Sequence, residues 1–494
     1  MGLLIGVGTT TPKFPYTDLW YGLRVHLDKS GHSVSDGKLE RVGNLDLHRS
    51  LPIQSRIKRY VANADGSVNY WLGANDSRKK EGGGTANLNA VDGIVQLYKP
   101  DYWRRFEFDG NDLLVAISEV ELPGFTHMSE KSRSPWLATF NRSTNVPTCA
   151  CFLTWDGDVP ARNEDGTLIF TDNAATYRGG TNTTSYDGTY RSLVGMPASS
   201  TTKSTIRTRC KSLGTKWHHG GWRFREEMSW LMAIEFGDLD SQAAYNAEKT
   251  ADGYSQGGLG NGTYYDWSTW SAYNGNNPFL PAGITAPLGN NTGIVSYQSL
   301  QSDGTYKTFK VASYRGWEQP QQYLWEHNDD IVVCEHKKDT GDGACIAYLC
   351  KDSSKFATPA DHATAAPDGY EELGALPTTS GFISAMGVAL GYSFPNDVTG
   401  GAGNKNYCDN FWHPSESTES DTNDGFYQLL SAANAVFSEN AGVRCAHASD
   451  RGAHTSANYG FPLCANSEEK ALYLDEQFRD LIYKCYGIKV KEED

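Results

Sequence analysis

Residues 113–117 form the apolar run Leu113-Leu114-Val115-Ala116-Ile117, which has the length of a strand and is followed by the chain breaker Pro123-Gly124. Turn signals stand before it at Asp65-Gly66 and Asp92-Gly93, so we predict β-hairpins between these turns and the apolar run. Further along, residues 141–205 are dominated by Ser, Thr, Asn, Gly and Asp, which is the composition of loops. The pattern indicates short sheets joined by long loops.

Two segments carry helical periodicity. Between Trp222 and Phe236 the apolar residues come close to an i, i+3, i+4 stripe, which predicts a helix. A second predicted helix begins at Asn466 or Ser467 and stops at Gly487. Its apolar face consists of Leu474, Phe478, Leu481 and Ile482. We expect that face to pack on its own domain or to contact a subunit.

Composition and charge limit the classes of protein. The chain has 494 residues, and its 13 Trp, 27 Tyr and 19 Phe argue against disorder. The formal net charge of −15 argues against broad nucleic-acid binding, because no basic face would neutralise phosphates. No stretch approaches 18 apolar residues, so we predict no membrane span. The N-terminal residues lack the pattern of a signal peptide, so we expect synthesis and folding in a cytoplasm.

Motifs for catalysis and metal binding are weak. The ten cysteines include no C-x-x-C pair, which favours buried free thiols over structural zinc. Residues 253–257 spell G-x-S-x-G around Ser255, but no strand precedes them and no helix follows. We therefore predict no catalytic residue and no cofactor. The oxygen-rich turn at 339–343 leaves a structural calcium ion or a solvated turn as alternatives.

Residues 431–465 have the composition of a binding surface. Small residues alternate there with Asn, His, Ser, Asp, Arg and Tyr, which offer adaptable hydrogen bonds and a few aromatic anchors. The alternative is a polar strand pair near the edge of the domain. The residues alone leave both interpretations open.

An ordered series of strings resembles a known family. It opens with Asn44-Leu45-Asp46-Leu47-His48-Arg49-Ser50-Leu51-Pro52. The strings that follow are residues 65–72, 92–95, 117–125, 177–183, 233–236, 288–293, 313–316 and 407–409. Together they are similar to C-type-lectin-fold fibre and receptor-binding proteins of gut Bacteroidales phages and prophages, including those of crAss-like phages. The resemblance extends over about residues 40–465.

The resemblance implies an α+β fold: a large elaborated C-type lectin fold with short sheets, few helices and long loops. It is related in architecture to formylglycine-generating enzymes. We divide the chain into an N-terminal arm at residues 1–40, a lectin-like domain at 41–465 and a C-terminal amphipathic helix and tail at 466–494.

The implied function is that of a virion surface protein. It would be a head fibre or tail-associated adhesin that attaches to a host-cell glycan or surface protein, with other virion proteins as partners through residues 1–40. We expect a homo-oligomer on the virion surface, made in the bacterial cytoplasm. The alternatives are a capsid or tail decoration protein without a ligand and, less favoured, an oxidase or hydrolase on the same fold.

In diversified relatives the variable surface lies near the C-terminal end of the lectin fold, which corresponds to residues 431–465 here. The residues predicted to face the ligand are Asn434, Phe437, Glu439, Asn440, His447, Asp450, Arg451, His454, Asn458 and Tyr459. Two departures from the family pattern bear on this prediction. The turn within residues 317–325 lacks the Asn and Gly usual in the family, and Glu318-Gln319-Pro320 is not the calcium motif of sugar-binding lectins. Cys445 and Cys464 are too far apart in sequence for the copper site of the catalytic branch.

Overall fold

The computed structural model describes residues 18–177, 194–266, 278–301, 303–335, 344–363, 365–400, 403, 405–413 and 425–466. These residues form 31 strands, many of them two residues long, and four α-helices. The predicted architecture of short sheets, few helices and long loops is therefore confirmed. The predicted C-terminal helix, the turn at 339–343 and the first 17 residues of the predicted arm lie outside the described residues.

The first sheet is antiparallel and contains the apolar run. With strands numbered in chain order, its spatial order is β2 (Leu39–Gly43), β1 (Tyr21–His26), β8 (Asp112–Ser118), β7 (Tyr102–Asp109) and β9 (Thr126–Met128). The predicted strand at 113–117 is β8, and it pairs with β1 along the length of that strand. Tyr21, Leu23 and Val25 of β1 are fully buried in the core. Residues 18–40 thus belong to the folded body, and the predicted arm boundary at residue 40 is corrected.

A second antiparallel sheet joins strands between residues 58 and 218 to the last strand of the described chain. Its order is β15 (Trp217–His218), β31 (Cys464–Ala465), β10 (Lys131–Arg133), β6 (Ile94–Lys99), β3 (Lys58–Ala62), β4 (Val68–Gly73) and β5 (Asp76–Lys80). The predicted turn at Asp65-Gly66 connects β3 to β4, and Gly66 takes the left-handed conformation with φ +86°. At the other end, β31 is inserted between β10 and β15.

The third sheet is the largest. Its main order is β24 (Tyr370–Leu376), β23 (Cys345–Cys350), β22 (Ile331–Glu335), β28 (Gly425–Ser431), β29 (Ala446–Asp450), β27 (Asn410–Trp412), β25 (Gly381–Ala389) and β26 (Tyr392–Thr399). The short strand β21 (Trp325–Glu326) pairs with β28 and with β30 (Tyr459–Gly460). The β27–β29 and β21–β30 pairs are parallel, whereas the other pairs in this sheet are antiparallel.

The remaining sheets have two or three strands each. One has the order β18 (Gly293–Leu300), β19 (Tyr306–Tyr314) and β20 (Trp317–Glu318). The two-stranded pairs are β11 (Thr139–Phe140) with β12 (Pro147–Thr148), β13 (Trp155–Asp156) with β14 (Val159–Pro160), and β16 (Tyr245–Asn246) with β17 (Gln256–Gly257). The helices are α1 (Leu45–Ser50), α2 (Pro52–Ser55), α3 (Lys203–Leu213) and α4 (Trp222–Phe236).

Helix α4 has the predicted bounds but a different environment. Every residue in it except Arg223 is buried, so it is enclosed on all sides instead of presenting one apolar stripe to a core. The largest apolar cluster packs α4 between the five-stranded and the ten-stranded sheets. Gly237 ends the helix in the left-handed conformation with φ +67°, and its N–H bonds to the carbonyl of Ala233.

The enclosed helix carries charges that are paired with remote cations. The carboxylate of Glu227 lies 2.8 Å from the ammonium groups of both Lys99 and Lys131; the side chains of Glu227 and Lys99 are inaccessible to solvent, and that of Lys131 is 14% accessible. Glu226 lies 2.8 Å from the guanidinium of Arg104. Burial alone would raise the pKa of Glu227, but Lys131, Lys99 and Arg104 together lower it to about 2. These pairs fix α4 against β6, β7 and β10.

Residues 317–330, which we call the central segment, are buried throughout. Glu326 accepts hydrogen bonds from both terminal nitrogens of Arg133 at 3.2 Å and lies 2.7 Å from Arg225. Asp330 accepts the backbone N–H groups of Trp222 and Arg223, so it caps α4 from a remote position. The central segment therefore connects the second sheet to the enclosed helix.

The turn that departs from the family pattern lies in this segment. Gln319 adopts φ +48°, in the left-handed region that Asn or Gly occupies more easily. Its backbone N–H donates to the carbonyl of Ala312, and its side-chain carbonyl accepts the backbone N–H of Ala312, both at 2.8 Å. The hydrogen bond accepted by the Gln319 side chain thus stabilises a left-handed backbone conformation that a residue other than Asn or Gly adopts at a cost.

Substitution of Gly22 by Ala is expected to destabilise the first sheet. A Cβ at this position would lie 1.9 Å from the carbonyl oxygen of Val115 in β8, so the strand pair would have to shift. We expect a loss of about 1–3 kcal/mol in the free energy of unfolding, measured by urea denaturation. The control is Gly400→Ala, because a Cβ at Gly400 meets no atom of the described residues within 4 Å. Equal stability of the two variants would contradict the prediction.

Candidate functional site

The candidate site lies where β27, β28 and β29 run side by side. Trp412 in β27 is paired with His447 in β29, and Leu430 in β28 pairs with His447 from the other side. Residues directly opposite each other in adjacent strands project from the same face of a sheet. Ala446 and Ala448 are buried while His447 is partly exposed, as alternation along a strand requires. Strand pairing thus brings Trp412 and His447 onto one partly exposed face.

Four rings form a continuous group there, which we call the aromatic patch: Trp325, Trp412, Phe437 and His447. The ring centre of Trp412 lies 4.8 Å from that of Phe437 and 5.4 Å from that of Trp325. His447 lies 5.1 Å from Trp325, which is fully buried and supports the other rings from below. Trp412 and Phe437 are partly exposed. The patch is therefore a rigid apolar surface with an accessible face.

A carboxylate with three polar neighbours borders the aromatic patch. Asp450 accepts a hydrogen bond from the hydroxyl of Tyr459, and its two oxygens lie 3.5 Å from Nδ1 of His447 and 3.7 Å from Nδ1 of His454. We call these four residues the Asp450 cluster. Burial and the adjacent Asp450 raise the pKa of Tyr459, so its hydroxyl stays protonated and donates. Burial lowers the pKa of His447, which keeps that ring neutral at neutral pH.

Buried polar contacts hold the cluster from behind. Nδ1 of His327 lies 2.8 Å from the side-chain carbonyl of Gln428, and the amide of Gln428 donates to the backbone carbonyl of His454. The ring of His327 also meets that of Tyr459 edge-on at 5.6 Å. His454 is half-exposed, with 50% of its side chain accessible, whereas Asp450 is only 16% accessible. The cluster thus has fixed inner members and one accessible histidine.

The structure brings together half of the residues predicted to face a ligand. Phe437, His447, Asp450, His454 and Tyr459 lie in the aromatic patch or the Asp450 cluster. Glu439 and Asn440 belong to the short turn after Phe437, where Glu439 is exposed and Asn440 partly buried. These two residues lie at the rim.

The other three predicted residues have structural contacts. Asn434 is buried, and its side-chain carbonyl accepts the N–H of Val436. Arg451 donates to the backbone carbonyls of Asp361 and Phe426, and its guanidinium lies 4.0 Å from the ring centre of Tyr427. Asn458 is buried, and its carbonyl accepts the N–H of Trp325. These contacts position the loops behind the site.

Sequence reasoning missed Trp325 and Trp412. Trp412 lies in the string Asn410-Phe411-Trp412-His413, whose aromatic density was an available signal. Trp325 belongs to the central segment, and the pairing of β21 with β28 and β30 brings it under the site. Neither contact follows from spacing along the chain.

The remaining motifs have other environments. Ser255 precedes β17, a two-residue strand that pairs with β16, so residues 253–257 do not form the strand–turn–helix of a nucleophile elbow. His218 and His219 are both buried, and His219 lies 3.6 Å from the carboxylate of Asp329. Two small cavities of about 20 and 30 Å³ lie within the body, beside the central segment and beside α4. Each has room for about one water molecule.

No protein-family model matches the chain, and no curated protein sequence is significantly similar to it. Within the described residues, no helix combines the length and the apolar character needed to cross a membrane.

Proposed function

We propose that the protein is a surface fibre or adhesin of a phage particle that attaches to a host-cell glycan through the aromatic patch and the Asp450 cluster. The ordered strings that resemble phage lectin-fold proteins support the class of protein. The observation that carries the proposal is the pairing of accessible rings, Trp412 and Phe437, with the hydrogen-bonding groups of Asp450 and His454.

A glycan matches this pairing chemically. One face of a sugar ring presents C–H groups that pack on an aromatic ring, while its edge presents hydroxyls that donate to a carboxylate and accept from an imidazole. The aromatic patch offers the packing surface, and the Asp450 cluster offers both kinds of hydrogen-bonding group. If single sites bind weakly, several copies on one particle would supply avidity.

Replacing Trp412 by Ala is expected to weaken binding to host cells about 30-fold, because a central aromatic anchor contributes about 2 kcal/mol or more. The measurement is binding of the purified full chain to a panel of Bacteroidales strains and to immobilised glycans. The matched control is Trp103→Ala. Trp103 is also partly buried and also contacts a histidine ring, His127, at 4.9 Å, but it lies in β7 of the first sheet.

The outcomes separate the alternatives. Loss of binding in Trp412→Ala with retention in Trp103→Ala supports the proposed surface. Equal binding by the wild type and both variants places the ligand elsewhere and overturns the assignment of the patch. Failure of the wild type to bind any strain or glycan, with the protein present on particles, favours the decoration role.

A further inference from the structure

Three distant segments of the chain meet beside the C-terminal end of α4. The backbone N–H of Leu239 donates to the carbonyl of His32, and the N–H of Asn406 donates to the carbonyl of Gly31. The segments are the turn after β1, the residues after α4 and the loop before β27. Each contributes one side chain with a metal-binding atom.

These side chains are His32, Asp240 and Cys408. One ligand atom from each lies within 4.8 Å of the other two, and this is the single group of three or more His, Cys, Asp and Glu side chains found at such spacing in the described part of the chain. In a tetrahedral site with bonds of about 2.0–2.3 Å, ligand atoms stand about 3.3–3.8 Å apart. Movements of about 1 Å would therefore close the group around an ion.

A fourth residue orients the histidine as in known metal sites. Nδ1 of His32 lies 2.6 Å from Oδ1 of Asp238 and donates to it, since a carboxylate only accepts. This bond leaves Nε2 as the ring nitrogen available to a metal. Histidine ligands commonly donate their other N–H to a carboxylate, which fixes the ring and its tautomer.

The chemistry of the three atoms selects the metal. A thiol sulfur, an imidazole nitrogen and a carboxylate oxygen together match Zn²⁺, which accepts all three in tetrahedral geometry. The soft sulfur ligand disfavours Ca²⁺ and Mg²⁺, which bind oxygen. Among the described residues, the hydrogen-bond partner of the Cys408 thiol is the carbonyl of Asn406, at 3.7 Å from Sγ.

We propose that His32, Asp240 and Cys408 bind a structural Zn²⁺ ion, with Asp238 as the carboxylate that positions His32 and water as the fourth ligand. Cys408 gives up its thiol proton to solvent on binding. The ion cross-links the turn after β1, the end of α4 and the loop before β27. This site is independent of the surface proposed to bind a glycan.

Cys408, His32 and Asp238 also resemble, in their spatial arrangement, a nucleophile, its general base and the carboxylate that orients the base. Two observations favour the metal instead. Cys408 is only 1% accessible, so a substrate would not reach the sulfur. Asp240 adds a negative group beside the thiol, which opposes a reactive thiolate but supplies a third ligand to a cation.

The test uses the full-length protein, stripped with a chelator and reloaded with zinc. We expect about one zinc per chain by mass spectrometry, and at least about 100-fold weaker zinc binding in Cys408→Ser and in Asp240→Asn. Asp238→Asn should weaken binding about 10–100-fold, as expected for a positioning residue. The matched control is Cys350→Ser, because Cys350 is also a buried thiol that donates only to a backbone carbonyl.

A second measurement keeps the proposal falsifiable if a variant does not fold. Co²⁺ added to the wild type should give a tetrahedral absorption spectrum with sulfur-to-metal charge transfer. Absence of that band, absence of stoichiometric zinc, or an equal loss in Cys350→Ser would overturn the proposal. Fast alkylation of Cys408 by iodoacetamide that zinc does not slow would also overturn it, in favour of a nucleophile.

Discussion

Glu227→Gln is expected to lower the free energy of unfolding by about 3–5 kcal/mol at neutral pH. The substitution keeps the shape of the side chain but leaves the ammonium groups of Lys99 and Lys131 without their shared carboxylate. Lys99 and Glu227 are inaccessible to solvent, so water cannot replace the lost charge. Breaking a buried pair by removing one partner is costly, because the other charge stays desolvated. Denaturation in urea, followed by circular dichroism, measures the loss.

A matched control is Glu40→Gln. Glu40 lies 2.8 Å from the guanidinium of Arg24, but both side chains are 40–50% accessible. Exposed pairs contribute less than about 1 kcal/mol, so this variant should be close to the wild type. If both variants lose the same small amount, the buried pairs of α4 do not stabilise the fold.

The carboxylate of Glu227 makes the expected loss of stability in Glu227→Gln depend on pH. The folded-state pKa of Glu227 is about 2, below the value of about 4.3 for an unfolded glutamate. The contribution of the ionised Glu227 to the free energy of unfolding is therefore fully present above about pH 4.3 and is lost as the pH falls through about 2. We expect the difference in stability between the wild type and Glu227→Gln to shrink over this window. A difference that stays constant down to pH 2.5 would contradict the assignment.

The second large effect is expected at Glu326, whose replacement by Gln should also cost about 3–5 kcal/mol. This carboxylate is shared by Arg133 and Arg225, and all three side chains are at most 5% accessible. Both guanidinium groups would remain buried after the substitution. Arg133 and Arg225 also lie 5.0 and 4.7 Å from the ring centre of Trp317, so the charges are confined by packing.

The variant Arg133→Lys distinguishes the contribution of charge to stability from that of packing around Glu326. The lysine keeps a positive charge but lacks the fork that donates twice to Glu326. We expect a loss of about 1–2 kcal/mol by urea denaturation, well below that of Glu326→Gln. If Arg133→Lys costs as much as Glu326→Gln, the planar contact of Arg133 with Trp317 dominates, and the charge-based prediction is wrong.

The elements predicted correctly from the sequence are those determined by residues close together along the chain. The predictions of a strand at 113–117 and of a helix between Trp222 and Phe236 are confirmed, because strand length and helical spacing are local properties. The environment of the helix was not predictable. The cations that pair with Glu226 and Glu227 come from β6, β7 and β10, and helical spacing carries no information about these strands.

Long-range pairing explains what the sequence left open at the two candidate sites. The resemblance to phage lectin-fold proteins placed the ligand-facing surface at residues 431–465 and led to Phe437, His447 and Asp450, but Trp412 enters only through its parallel pairing with His447. Asn458 was chosen for its polar side chain, yet it is buried, and its contact with Trp325 is made by the backbone carbonyl, which any residue could supply. The metal-binding trio is dispersed along the chain, so no search for closely spaced ligands would find it.

The place of β31 in the second sheet has a consequence for biosynthesis. Strands β10 and β15 are translated long before Cys464 and Ala465, yet they lie on either side of that strand and each pairs with it. While a ribosome still holds the closing strand, β10 exposes an edge that can pair with another nascent chain. Contacts between segments so far apart also slow folding. Neighbouring ribosomes on one messenger would therefore favour strand exchange, and slower initiation should raise the yield of correctly closed molecules.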